Sequence, residues 1–196
     1  MSKTVRDLIA ALLFSVIAAI VFRTWFLSPY KVPTSSMYQT IQAGDHIFVN
    51  RHAYGYHFPF LDVKIAEKPI RRGDIVVFSF PLSPRIDYIK RVVGIPGDQI
   101  QIIGETVFVN GEQETMDYLY YDPELLSLPE NIEIEVPDGK LWVMGDNRRN
   151  SKDSRYLGFI DVSRVQGKAV FVFWNHDPES DLTEGYQLDR IGIRLD

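Results

Sequence analysis

The chain has 196 residues, enough for one domain or for one domain with an elaborated insertion. Its composition is that of a globular protein, and a net charge of −5 gives no global attraction to nucleic acid or acidic lipid. It has no cysteine, which excludes disulfides, thiol catalysis and Cys-ligated zinc.

The first element is apolar. Residues 8–27 read LIAALLFSVIAAIVFRTWFL, and only Arg23 breaks their apolar character. A helix needs about 20 apolar residues to cross a bilayer, and the unbroken run over 8–22 is shorter. An Arg23 guanidinium that reaches up to the headgroups, with Trp25 and Phe26 at the interface, extends the run to a span. A cleaved leader wants small residues at −3 and −1, and Arg23-Thr24-Trp25-Phe26-Leu27 offers none. A buried core helix would show a polar face, whereas residues 10–22 carry only Ser15. Residues 1–28 are therefore expected to be a tail and an uncleaved single-pass anchor. Lys3 and Arg6 precede the span, and Arg23 and Lys31 follow it, so flanking charge does not set its orientation.

Residues 29–196 read as β. Ile47-Phe48-Val49, the run IVVFSF over 75–80 and Tyr88-Ile89-Lys90-Arg91-Val92-Val93 are rich in β-branched and aromatic residues. Gly44-Asp45, Gly73-Asp74, Gly97-Asp98 and Asn110-Gly111 punctuate them as turns. Residues 99–103 and 106–109 flank Gly104-Glu105 as a hairpin. Residues 132–136 alternate, and 141–144 and 169–174 read as further strands. Short strands joined by turns predict an all-β, antiparallel domain behind one N-terminal transmembrane helix. Residues 112–131 are acidic, tyrosine-rich and without pattern, and read as a small insertion or cap outside the core. The aromatic run over 54–60, YGYHFPF, fits either a hairpin packed on the main sheet or a patch resting at the headgroups.

Three segments carry candidate chemistry. Ser36 stands 9 residues after Leu27, so it stays close to the membrane. A serine hydroxyl is a weak nucleophile until a base takes its proton. Lysine is such a base only when neutral, and burial in an apolar setting lowers its ordinary pKa of ~10.4. Lys90 lies inside a predicted strand and shares a face with Tyr88 and Val92, an unusual place for a lysine. Its bland alternative is an edge-strand lysine that blocks aggregation. The third segment, Gly145-Asp146-Asn147-Arg148-Arg149-Asn150-Ser151-Lys152-Asp153-Ser154-Arg155, follows an apolar strand, and Asp153 and Arg155 are placed to pair. Alone it also reads as a solvated loop. His46, His52, His57 and His176 form no cluster that suggests a metal.

Taken together, four blocks resemble the type I signal peptidases, the Ser-Lys serine endopeptidases that cut signal peptides from exported proteins. They are Pro33-x-x-Ser36-Met37, Arg72-Gly73-Asp74-Ile75-Val76-Val77-Phe78, Tyr88-Ile89-Lys90-Arg91-Val92-Val93-Gly94-x-Pro96-Gly97-Asp98, and Gly145-Asp146-Asn147-x-x-Asn150-Ser151-x-Asp153-Ser154-Arg155-Tyr156-x-Gly158. The resemblance covers 30–196 except 112–131. It implies that Ser36 is the nucleophile and Lys90 the general base, and later the acid for the leaving amine. It implies that Ser151 orients the Lys90 nitrogen, and that the Ser36 N–H and the Thr34 hydroxyl form an oxyanion hole. Asp153 and Arg155 would hold the Ser151 loop, and Gly145, Asp146, Asn147 and Arg148 would brace it. Val32, Pro33, Met37, Ile41, Ile47, Val77, Tyr88 and Ile89 resemble pocket walls for small side chains, alanine best, at the first and third positions before the cut. The implied partners are signal peptides of preproteins and membrane lipid, with no nucleic acid, cofactor or metal. The implied location is the inner or plasma membrane, with the β domain on the exported side.

The chain departs from the family pattern at Ser35, where glycine is common, at Gln39, where proline is common, and at Arg149, where an acidic or small residue is usual. These put substrate preference in question rather than activity. Two narrower readings stay open: a peptidase dedicated to one substrate, such as a pilus subunit or a sorted surface protein, and a membrane-anchored docking module without catalysis. Self-cleaving stress-response repressors share a related β fold and a Ser-Lys pair, but they carry a DNA-binding domain and no anchor, against residues 8–27.

Overall fold

The computed structural model describes residues 3–25, 27–58, 63–65, 68–80, 83–115, 117–121, 131–177, 180 and 185–195. Phe26, expected at the membrane interface, lies outside the described residues, as do Pro59 and Phe60 of the aromatic run and 116 and 122–130 of the expected insertion.

A single helix, α1 (Lys3–Trp25), leads the chain. At 1.5 Å per residue it is about 35 Å long. Leu8, Leu12, Leu13 and Phe14 are exposed around its described part and pack into no core there. Among the described residues no helix is long and apolar enough to cross a membrane. The described side chains of α1 end at Val16, while the apolar sequence continues through Phe22. The helix gives way to β1 (Leu27–Lys31). Leu27 and Ser28, expected at the end of the anchor, are already in the sheet and pair with Asn50 and Val49.

The rest is mostly β. A seven-stranded sheet runs in the order β1, β2 (Asp45–Asn50), β13 (Val165–Asn175), β5 (Ile75–Phe80), β6 (Ser83–Gly94), β11 (Lys140–Met144), β12 (Ile160–Asp161). A second sheet runs β10 (Ile132–Glu135), β7 (Gln99–Ile103), β8 (Thr106–Val109), β9 (Glu112–Gln113). The hairpin β3 (Tyr56–Phe58) and β4 (Val63–Ile65) stands apart. A short helix, α2 (Ser154–Leu157), packs on β11. All named strand pairs are antiparallel.

Burial explains the pattern of each strand. In β5, Ile75 and Val77 enter one core cluster while Val76, Phe78 and Phe80 enter another, so the strand is apolar on both faces. β7 alternates because Ile100 and Ile102 face a third cluster with Val93 and Trp142, and Gln99, Gln101 and Ile103 face out. Asn110 and Gly111 both have positive φ, 54° and 82°, the backbone that lets β8 turn tightly into β9. Of the aromatic run over 54–60, Tyr54 packs against the β5–β11 cluster, and its hydroxyl donates to Asp74 at 3.0 Å.

Candidate active site

Ser36 is delivered by a turn that leaves the edge of the sheet. Val32 N–H donates to the Asp45 carbonyl and Gly44 N–H to the Val32 carbonyl, both at 2.8 Å, which closes the exit from β1. Tyr38 N–H then donates to the Ser35 carbonyl and Ile41 N–H to the Met37 carbonyl. Met37 and Ile41 are fully buried beneath the turn. Gln39 sits at φ 77°, a conformation closed to proline, whose ring fixes φ near −65°.

Lys90 comes from the middle of β6, opposite Val76 on β5. Its Nζ donates to Ser36 Oγ at 2.7 Å and to the Ile89 carbonyl at 2.8 Å. The side chain is 4% exposed. Burial lowers its pKa to about 8, with Arg155 acting in the same direction and the Asp153 and Asp146 carboxylates opposing. A lysine in this state holds a useful neutral fraction near pH 8. Thr34 Oγ1 lies 3.5 Å from Ser36 Oγ, on the open side of the turn.

The polar loop after β11 wraps this pair. Asp153 is fully buried, accepts from Gly145 N–H at 2.9 Å and pairs with both arms of Arg155 at 2.8 Å. Burial alone would raise the Asp153 carboxyl, but Arg155, with Ser151 and the Gly145 N–H, holds it below the ordinary carboxylate range. Asn147 N–H donates to the Ser36 carbonyl at 3.1 Å, and its side-chain amide donates to the Ser35 carbonyl at 3.2 Å. Asn150 donates to Ser35 Oγ at 3.2 Å. Ser151 Oγ is buried without a partner of hydrogen-bond geometry, so the expected bond from Ser151 to Lys90 is not formed here. A Cβ on Gly145 would collide with both Ser151 Oγ and the Ser36 carbonyl. Gly145 thus marks where the two serine segments meet.

Behind the loop lies machinery that sequence reading missed. Arg91, 2% exposed, grips Asp146 with two hydrogen bonds at 2.9 and 2.8 Å. Thr40, in the serine turn, donates to the same carboxylate at 2.6 Å. The ring of Tyr118 covers the Arg91 guanidinium at 3.7 Å, and burial pushes its hydroxyl up to about 12. Arg148 lies 2.6 Å from Glu114. Tyr120 N–H donates to the Asp146 carbonyl, Arg148 N–H donates back to the Tyr120 carbonyl, and the Tyr120 ring meets Tyr38 edge-on at 4.8 Å. The described part of 112–131, expected as a small insertion or cap, is therefore a strap across the loop after β11. Its contacts with Arg91 and with that loop are distant in sequence and left no local periodicity to read.

Two cavities lie beside the Ser36 turn and share Tyr88 as a wall. One, of about 200 Å³, holds Ser36 and Lys90. The other is a shallow cleft between the end of β1 and the β6 strand, lined by Tyr30, Val32, Pro33, Ile47, Val77 and Ile89 among others. Of the expected pocket residues, Met37 and Ile41 lie behind this wall, in the core cluster with Val32, Ile47 and Val77. Among the described residues no three metal-ligating side chains converge.

A serine hydroxyl bonded to a buried lysine, on an antiparallel β scaffold, defines a hydrolase-like site. The family model described as "Signal peptidase, peptidase S26" matches residues 5–174, and the chain belongs to that family. A signal peptidase I of Pseudomonas fluorescens is 34% identical over 89% of this chain and 74% of its own length. One from Bacillus amyloliquefaciens is 37% identical over 84% of this chain and 82% of its own. A crystal structure of a signal peptidase I from Enterococcus faecalis aligns at 32% identity, covering 52% of this chain and 97% of that one with a TM-score of 0.42. The family supports a peptidase that cleaves signal peptides.

Proposed function

We propose that the chain is a membrane-anchored signal peptidase that works through an acyl-enzyme at Ser36. The observation that carries this reading is the 2.7 Å contact between a buried Lys90 amine and Ser36 Oγ. Neutral Lys90 takes the Ser36 proton as Oγ attacks the scissile carbonyl. The Ser36 N–H and the Thr34 hydroxyl donate to the oxyanion that forms, a role in which one missing donor costs ~10²–10³ in rate. The lysine, now an ammonium, returns its proton to the departing amine, and the C–N bond breaks. Water, deprotonated by Lys90, then attacks the ester and frees Ser36.

The other residues act through this pair. Arg155 and Asp153 hold the loop that carries Ser151, and Ser151 stands ready to steady the Lys90 nitrogen once substrate is bound. Asn147 fixes the Ser36 carbonyl. Gly145, Asp146 and Arg148 set the loop against the strap. The cleft beside Tyr88 receives small side chains before the cut.

In this reading α1 is the anchor. The exposed apolar side chains of its described part, among them Leu8, Leu12, Leu13 and Phe14, have lipid as their natural surrounding. Passing directly into β1, it holds Ser36 near the bilayer, where a signal peptide emerges on the exported side. The test is cleavage of a purified preprotein by the detergent-solubilised chain, with N-terminal sequencing of the product. A cut a few residues past the apolar core of the leader supports the reading. A cut elsewhere, or none, refutes it.

A further inference from the structure

The cavity that holds the nucleophile carries charge of one sign. The charged residues in its wall are Lys90 and Lys152, and no carboxylate lines it. Lys90 is buried with its amine on Ser36. Lys152 is different. It is exposed, and among the described residues it makes no ion pair or hydrogen bond. The neighbouring charges do not answer it. Asp153 is buried and taken by Arg155 and the Gly145 N–H, and Arg149 is paired with Glu105 at 2.5 Å. Across the loop, Asn150 is tied to Ser35. The mouth of the cavity therefore offers an open cation on a loop that is otherwise pinned.

The position gives this cation a direction. Tyr88 separates the cavity from the neighbouring cleft, whose wall is mainly apolar with Lys31 and Asp87 in it, and which in the reading above takes the residues before the cut. Lys90 must hand its proton to the departing amine, so the released chain leaves from the Lys90 side of Ser36. Asn150 and Lys152 line the same cavity as Lys90. A side chain just past the scissile bond meets Lys152 and no acid.

We propose that Lys152 reads the charge of the mature chain and favours an acidic side chain in the first residues after the cut. This rests on the assignment of Ser36 and Lys90 as the catalytic pair. An ion pair at an exposed site changes kcat/KM by roughly twofold to fivefold per charge. It also weakens with salt, since the Debye length falls from about 10 Å at 0.1 M to 3 Å at 1 M.

The experiment uses the full chain in detergent and three peptides that differ only in the residue after the cut: Asp, Asn or Lys. Expected for the parent is the order Asp, Asn, Lys in kcat/KM, compressed at 1 M salt. Lys152→Gln flattens the order and Lys152→Glu inverts it. Each enzyme is compared with itself, so a general loss of folded protein lowers all three rates together and leaves the ratio intact. Equal rates for the three peptides in the parent, or a preference that survives in Lys152→Gln, overturns the role of Lys152 and leaves the catalytic pair standing. Cleavage of no peptide by the parent overturns both.

Discussion

Lys90 Nζ and Ser36 Oγ stand 2.7 Å apart although 54 residues separate them in the chain. One side chain comes from the centre of a buried strand, the other from a turn at the edge of the sheet. The strand supplies the dryness that a neutral lysine requires, and the turn supplies access to substrate. Neither element alone would make a reactive site.

This pairing sets the pH response. Burial lowers the Lys90 pKa to about 8 from 10.5. With Lys90 as the proposed base the active form is the deprotonated one, so kcat/KM is expected to climb about tenfold per pH unit below that value and level off above it. Folding stability has its own window. Between about 8 and 10.5 the unfolded chain binds the proton that the folded chain has released, so stability rises with pH there. Below 8 both states carry the proton, and the full cost of the buried ammonium remains. A rate profile that falls with rising pH across 6–8 would contradict the base role.

Lys90→Met separates chemistry from folding. The variant loses the base and is expected to be inactive. It also removes a buried charge in favour of an apolar side chain of similar length, a change worth about 1–3 kcal/mol in favour of the fold at neutral pH. Thermal unfolding in detergent checks this. A large loss of stability would mean that Lys90 serves the structure.

Gly145→Ala probes the meeting point of the two serine segments. The added methyl collides with Ser151 Oγ and the Ser36 carbonyl, so one of them must move. A displacement near 1 Å at a reacting group costs about 10²-fold in rate. The expected result is that much loss in kcat with a folded protein, read by circular dichroism beside the rate.

Asp146→Ala leaves the buried Arg91 without its carboxylate. Breaking a buried pair from one side costs about 3–5 kcal/mol, and the thermal midpoint should fall accordingly. Tyr118→Ala leaves that pair intact and removes the ring over Arg91, a contact worth about 2 kcal/mol or less, together with a long 3.4 Å hydrogen bond to Glu114. Equal losses in the two variants would contradict the central place given to the Arg91–Asp146 pair.

Much of this could be read in the sequence. β7 and β8 have the limits that alternation and the Gly104 turn predict, and β5 reveals itself by six residues with no polar face. Ser36 and Lys90 stand out through their motifs, and so does the Asp153–Arg155 pair. β1 escaped because Leu27 and Ser28 read as part of the anchor. Pro29 is allowed in it because β1 is an edge strand, where a missing N–H has no ladder to interrupt. The strap escaped for another reason. Tyr118 and Tyr120 find their meaning only against Arg91 and Asn147, and no local pattern encodes a contact made across the fold. The sequence also placed Met37 and Ile41 in the pocket, where burial puts them behind its wall.

The most direct test of the central claim is cleavage of one purified preprotein by the parent chain and by Ser36→Ala, side by side in detergent at pH 8–9. The account predicts a mature-sized product from the parent and none from the variant, with both equally folded. A product of the same size and at the same rate from Ser36→Ala would contradict it, because the nucleophile would then lie elsewhere.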